Sequence, residues 1–192
     1  MWRCFIKQKN KKTIWDTRTL VFVGLLAALH IVLTRLIVIE LGSYRITIGS
    51  VCTILAGLWL GPVAGGVSGL ISDLLGCLIK GYAVNPFITV AAVLWGIIPG
   101  LVRPFLSGKK GKKTVLICAS VVLTSVFSTL VFTTAGLVLM LGYNFYAIMP
   151  GRIAQWAIMT PIYCVLTVTM YFSPITNMIM NATIRRTDHV AA

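Results

Sequence analysis

The sequence predicts an all-α integral membrane protein, a six-transmembrane-helix bundle with both termini in the cytoplasm. Three observations predict it. The 192 residues are 58% hydrophobic and only 11% charged, with a mean hydropathy of +0.93. The apolar residues gather into runs of membrane-spanning length. The basic residues gather into segments that an even number of crossings puts on one side.

A soluble domain carries about 25% charged residues, because its surface must stay dispersed in water. The composition therefore excludes a soluble enzyme, a disordered tail and a collagen-like fibre. A net charge of +13 would by itself allow a nucleic-acid protein, but the hydropathy does not, so no nucleic-acid partner is expected. The lipid bilayer is the expected surrounding. The five cysteines show no CxxC spacing and four lie in apolar runs, so they read as small packing residues rather than zinc or redox ligands.

A helix needs about 20 apolar residues to cross a bilayer. Leu20 to Ile39 is the first span. Ile46 to Leu60 is a shorter second one, closed by the breaker Gly61-Pro62. Val63 to Ile79 is a glycine-rich third, and Pro86 to Leu106 a fourth. Thr114 to Leu141 is long enough to tilt. Ile148 to about Met180 is the sixth, where Pro161 and Pro174 are candidates to kink it or end it early. One membrane domain follows: a basic arm over 1–18, the bundle over 19–184 and a tail over 185–192. The arm lacks an Ala-x-Ala cleavage site before a full-length span and is not read as a signal peptide.

Lysine and arginine stay preferentially on the cytoplasmic side of a membrane. With six crossings the arm (Arg3, Lys7, Lys9, Lys11, Lys12, Arg18), the loop after the fourth helix (Arg103, Lys109, Lys110, Lys112, Lys113) and the tail (Arg185, Arg186) share one face. Thirteen of the seventeen basic residues then lie inside. Arg35, Arg45, Lys80 and Arg152 remain outside.

These four carry the functional argument, since an ionisable residue in a membrane segment is a candidate site by default. Arg35 and Glu40 fall at the outer end of helix 1, Arg45 at the start of helix 2, and Arg152 near the outer start of helix 6. Asp73 lies about 10 Å below Lys80 at 1.5 Å per residue. Asn85 opens helix 4, and Gln155 is one turn inside Arg152. Tyr44, Tyr82, Phe87, Tyr143, Phe145, Tyr146 and Trp156 are the aromatics expected beside them, with Tyr82, Phe87 and Trp156 as ligand contacts. The bland alternative has the arginines snorkelling to headgroups and Asp73 in a structural ion pair. The functional alternative is an outward pocket for a flat, polar anion. Arginine forks would hold its carboxylates, aromatic faces its ring, and one carboxylate the amidine-like edge of a heterocycle such as a pterin.

No Walker motif, HExxH, GxSxG or metal-ligand cluster occurs, so no catalytic residue, cofactor or metal is expected and the chain is not read as an enzyme. His30, mid-helix in an apolar stretch, reads as a core residue. Gly24-x-x-x-Ala28 on helix 1 lets another helix approach closely, either within the bundle or as a docking face for a partner membrane protein.

The run from Arg35 to Arg103 resembles the substrate-binding S components of energy-coupling factor vitamin transporters, most closely the folate-type members. The matching pieces are Thr34-Arg35-Leu36, Tyr44-Arg45-Ile46-Thr47-Ile48-Gly49, Leu58-Trp59-Leu60-Gly61-Pro62, Ser72-Asp73-Leu74-Leu75-Gly76 and Asn85-Pro86-Phe87. Arg152-Ile153 with Pro161 also fits. The resemblance implies the S-component fold and high-affinity capture of folate at the outer face of a bacterial cell membrane. It implies import only with a transmembrane T protein and two ATPase subunits that hydrolyse the ATP, with the loaded subunit toppling in the membrane. It also implies that Gly24 and Ala28 stand where the family packs small residues against the T protein. The alternatives are an S component for riboflavin, thiamine or a queuosine precursor, a stand-alone gradient-driven carrier, or an assembly subunit without a pocket.

Overall fold

The computed structural model describes residues 17–35, 38–41, 44–81, 83–106, 110–176 and 178–179. The arm before Thr17, Tyr82 and the tail over 185–192 lie outside the described residues.

Helix α1 spans Thr17–Arg35. Thr19, Val23, Leu26 and Ala27 are buried, and His30 and Thr34 extend the same stripe at helical spacing. Leu20, Val21, Leu25, Leu29 and Val32 point outward and are exposed. The helix ends four residues before Ile39, where the sequence predicted its end. A two-stranded antiparallel hairpin follows, β1 over Val38–Leu41 and β2 over Tyr44–Thr47, with Glu40 opposite Arg45. Arg45 therefore lies on a strand and does not open helix 2. The β-branched residues Val38, Ile39, Ile46 and Thr47 favour the pleated backbone over the helix.

Helix α2, Ser50–Leu60, is buried at every position after Ser50. At 1.5 Å per residue it is about 16 Å long, which is short of the bilayer core. Its end is set by Gly61, whose φ of 107° suits glycine, and by Pro62, which starts α3 without needing a backbone N–H. Helix α3 covers Pro62–Lys80. Helix α4 covers Pro86–Val102, capped by the Asn85 side chain and continued by a 3-10 turn over Arg103–Phe105.

The next rod runs without a break from Lys110 to Leu141. It comprises α5 (Lys110–Ser125), a π-helical stretch over Val126–Thr133, and α6 (Thr134–Leu141). Helix α7, Phe145–Phe172, carries Pro150 and Pro161 inside it and continues past both. It ends at Ser173, the residue whose backbone Pro174 holds extended.

Four of the helical segments are long and apolar enough to cross a membrane: Pro62–Lys80, Pro86–Phe105, Lys110–Leu141 and Phe145–Phe172. Helices α1 and α2 are shorter apolar segments. The core gathers around α2, with Ile54, Leu58 and Trp59 against Val23, Ile117, Val121 and Met159. The Trp59 indole donates to Thr176 Oγ1 at 3.2 Å, tying α2 to the segment that follows α7.

Candidate functional site

A cavity of about 500 Å³ opens among α1, β2, α2, α3, α4, the π-helical stretch, α6 and α7. The fold brings Arg35, Asp73, Asn85, Arg152 and Gln155 onto its wall from three different helices and the N-cap of a fourth. These side chains lie far apart in sequence and meet only through the packing of α1, α3, α4 and α7.

Asp73 is half-buried on α3 and accepts a hydrogen bond at 2.7 Å from the Thr89 hydroxyl of α4. That bond occupies one carboxylate oxygen. One turn further along α3 is Gly76, and the Arg35 guanidinium lies against it. A methyl group at 76 would run into that guanidinium, so the glycine makes the space the arginine occupies. The Arg35 Nε is buried and has no hydrogen-bond partner among the described residues. Arg152, the second arginine of the wall, is only 6% exposed. Taking a guanidinium out of water this far costs free energy unless polar groups receive it.

Asn85 does a different job. Its side chain accepts from Phe87 N and donates to Gly136 O, each at 3.0 Å. It caps α4 and pins that helix to α6, so it shapes the wall. Gly136 is the only residue type that fits there without crowding the Asn85 amide and Phe87.

Two of the expected aromatics are placed off the wall. Phe87 packs by Gly136, and Trp156 turns its indole to Ser125 Oγ at 3.0 Å, inside an α5–α7 contact that also includes Thr160. Arg45 sits on β2, two residues from Thr47, which is on the wall. The aromatics that do line the cavity are Trp95, Tyr143 and Tyr163. Trp95 and Tyr163 meet edge to face with centroids 5.3 Å apart, and the Tyr163 hydroxyl donates to Thr47 O at 2.7 Å. That geometry leaves a fixed apolar surface suited to a ring.

Hydroxyls supply the rest. Ser128, Thr129 and Thr133 reach the cavity from the π-helical stretch. Ser128 donates to Ala91 O at 2.9 Å, and Thr133 donates to Ser128 O at 2.8 Å, five residues back. Thr134 repeats the five-residue reach, to Thr129 O at 3.1 Å. His30 also lines the cavity, although its apolar neighbours suggested a core residue. The sequence carried one signal for these groups, the recurrence of Ser and Thr at 124, 125, 128, 129, 133 and 134 inside an otherwise apolar span.

Gly24 and Ala28 lie away from the cavity, both exposed on the outward stripe of α1. A methyl group at Gly24 would meet nothing within 4 Å. The helix 3 glycines behave in the opposite way: Gly65 abuts Gly57 and the Gly96 carbonyl, and Gly69 abuts the Ala92 carbonyl.

Comparison with known proteins adds three findings. The family described as "ECF transporter, substrate-specific component" matches residues 18–184. A folate transporter, FolT, of Clostridium novyi (strain NT) is 29% identical over 148 residues, covering 76% of this chain and 83% of that relative. A solved structure, the crystal structure of FolT bound with folic acid, aligns with a TM-score of 0.69 at 25% identity and covers 81% of this chain and 92% of the other.

Proposed function

Since the chain belongs to the family of ECF transporter substrate-specific components, we propose that it is the folate-binding subunit of such a transporter. It captures the vitamin with high affinity at the outer face of the cell membrane. The observation that carries the ligand assignment is the pairing of Arg35 and Arg152 with Asp73 on one cavity wall. Folate offers carboxylates to guanidinium forks and an amino-pyrimidinone edge to a carboxylate. The edge-to-face pair of Trp95 and Tyr163 provides the apolar surface for its rings.

Six crossings with both termini cytoplasmic fit this reading, with α1 and α2 as the two short members. Import depends on partners, a transmembrane T protein and two ATPases, and the subunit itself needs no cofactor. The exposed Gly24 and Ala28, flanked by Leu20, Leu25 and Leu29, support α1 as the T-protein docking face.

Calorimetry of the purified protein with folate, in the absence of ATP, is the primary test. Stoichiometric, tight binding is expected, accompanied by quenching of Trp95 fluorescence. Absence of binding to folate and to reduced folates, with binding to riboflavin, thiamine or a queuosine precursor instead, would move the assignment to another vitamin. The docking face has its own test. Gly24→Leu should leave folate affinity unchanged and abolish uptake by cells that supply the partner subunits. Undiminished uptake would remove α1 from the interface.

A further inference from the structure

We propose that His30 is a ligand-holding residue of the same cavity, positioned by Thr53, and that it donates a hydrogen bond from Nε2 to an acceptor oxygen of the bound molecule. The proposal rests on the folate reading for the identity of that molecule, and on the geometry of α1 and α2 for everything else.

His30 lies on the inward stripe of α1, about one and a half turns before Arg35 at 3.6 residues per turn. It is half-buried and lines the cavity. Its Nδ1 is 2.6 Å from the Thr53 Oγ1 of α2. Thr53 is 0% exposed, and a hydroxyl that far from water needs an acceptor for its one proton. Among the described residues its hydrogen-bond partner is His30 Nδ1. The hydroxyl therefore donates to Nδ1. In the neutral ring this puts the proton on Nε2, so the nitrogen left for the cavity is a donor.

The backbone holds the ring's position. The Thr34 hydroxyl donates to His30 O at 2.8 Å, and the Thr34 side chain and that same carbonyl close against Gly49, just before α2. The imidazole is thus clamped between two helices, with Nδ1 committed to Thr53 and the residue on the cavity lining. Arg35, five residues further on, lines the same cavity and is also a donor. Two adjacent donors on one wall call for an acceptor-rich part of the ligand, and carboxylate or carbonyl oxygens supply it.

Two substitutions separate a ligand role from a packing role. A glutamine amide reaches the place of Nε2, and an asparagine amide reaches the place of Nδ1. His30→Ala should weaken folate binding by about 10- to 100-fold, the range for a hydrogen bond involving a charged acceptor. His30→Gln should restore most of that loss, whereas His30→Asn, which keeps the Thr53 contact, should restore none. Thr53→Val should weaken binding several-fold, with recovery in Thr53→Ser.

The chain has two histidines, so a 15N-histidine NMR spectrum of the full-length protein has two imidazoles to assign. Folate should shift the His30 Nε2 resonance, and Thr53→Val should alter its tautomer signature without ligand. Rescue by asparagine rather than glutamine, or an Nε2 resonance unmoved at saturating folate, overturns the assignment of His30. Wild-type protein that binds no folate overturns the folate reading and with it the ligand named here, an outcome visible before any variant is made.

Discussion

The two sides of the bundle are built on opposite principles. Where α2, α3 and α4 meet, backbones touch. Gly57, Gly65, Gly69, Gly96 and Gly100 remove the side chains that would hold the helices apart, and each faces main-chain atoms of a neighbour. Where α1, α3, α4, the π-helical stretch and α7 converge, they leave the cavity. The hydroxyls of Ser128 and Thr133 on its wall are bonded to helix carbonyls. One side puts its stability into close packing. The other accepts a gap and lines it with polar groups. The cavity is therefore the part of the bundle where close packing stops.

The largest effect should come from filling the dense side. Gly65→Val places a branched side chain against the Gly57 backbone and the Gly96 carbonyl, where no flexible atom can move aside. Overpacking costs about 1–3 kcal/mol even where neighbours can adjust. Here a loss at the upper end or beyond is expected, read as a melting temperature in detergent many degrees lower, or as failure to yield monodisperse protein. A variant that melts with the wild type would mean that the helices can separate there, and the contrast between the two sides would fail.

Substitutions on the open side should do the reverse, sparing the empty protein and weakening the complex. Arg35→Ala removes a guanidinium whose Nε has no partner to lose. Folate affinity should fall about 10- to 100-fold, equivalent to a charge-assisted hydrogen bond of about 1.5–3 kcal/mol. Asp73→Asn keeps an oxygen for the Thr89 hydroxyl but removes the charge. Its effect on affinity should be smaller, about tenfold, with little change in melting temperature. If Asp73→Asn instead lowers the melting temperature and leaves affinity intact, Asp73 is a structural residue of the α3–α4 contact.

The sequence makes one side much more readable than the other. The Leu60-Gly61-Pro62 break and the glycines of α3 announce a tight turn and close packing, because few other residues can serve there. Charged residues inside apolar runs stand out for a similar reason, and Arg35, Asp73 and Arg152 do reach one cavity. The hairpin is hidden because Val38-Ile39 and Ile46-Thr47 extend apolar runs that suit helix or strand equally in a short window. The π-helical stretch is hidden because a span apolar on all sides has no stripe whose period could betray extra residues per turn. The aromatics mislead for a third reason. Position along the chain gives depth in the membrane but not the face of the helix. Phe87 and Trp156 lie off the cavity wall, whereas Trp95, Tyr143 and Tyr163 line it.

The smallest effect expected tests the hydroxyl wall itself. Thr133→Val preserves shape and removes the bond to Ser128 O, the five-residue reach that suits a π turn and would not suit an α turn. A neutral buried hydrogen bond contributes about 0.5–1.5 kcal/mol net. The Ser128 carbonyl lies within the π-helical stretch, where the backbone ladder also serves it, so the cost should fall at the low end. The melting temperature should drop by a few degrees at most, and folate affinity should change by less than about threefold. A much larger loss of affinity at unchanged stability would show that Thr133 touches the ligand directly. A much larger loss of stability would show that the π-helical stretch is held open by this bond, and that the gap on this side carries strain that the glycine-packed side does not.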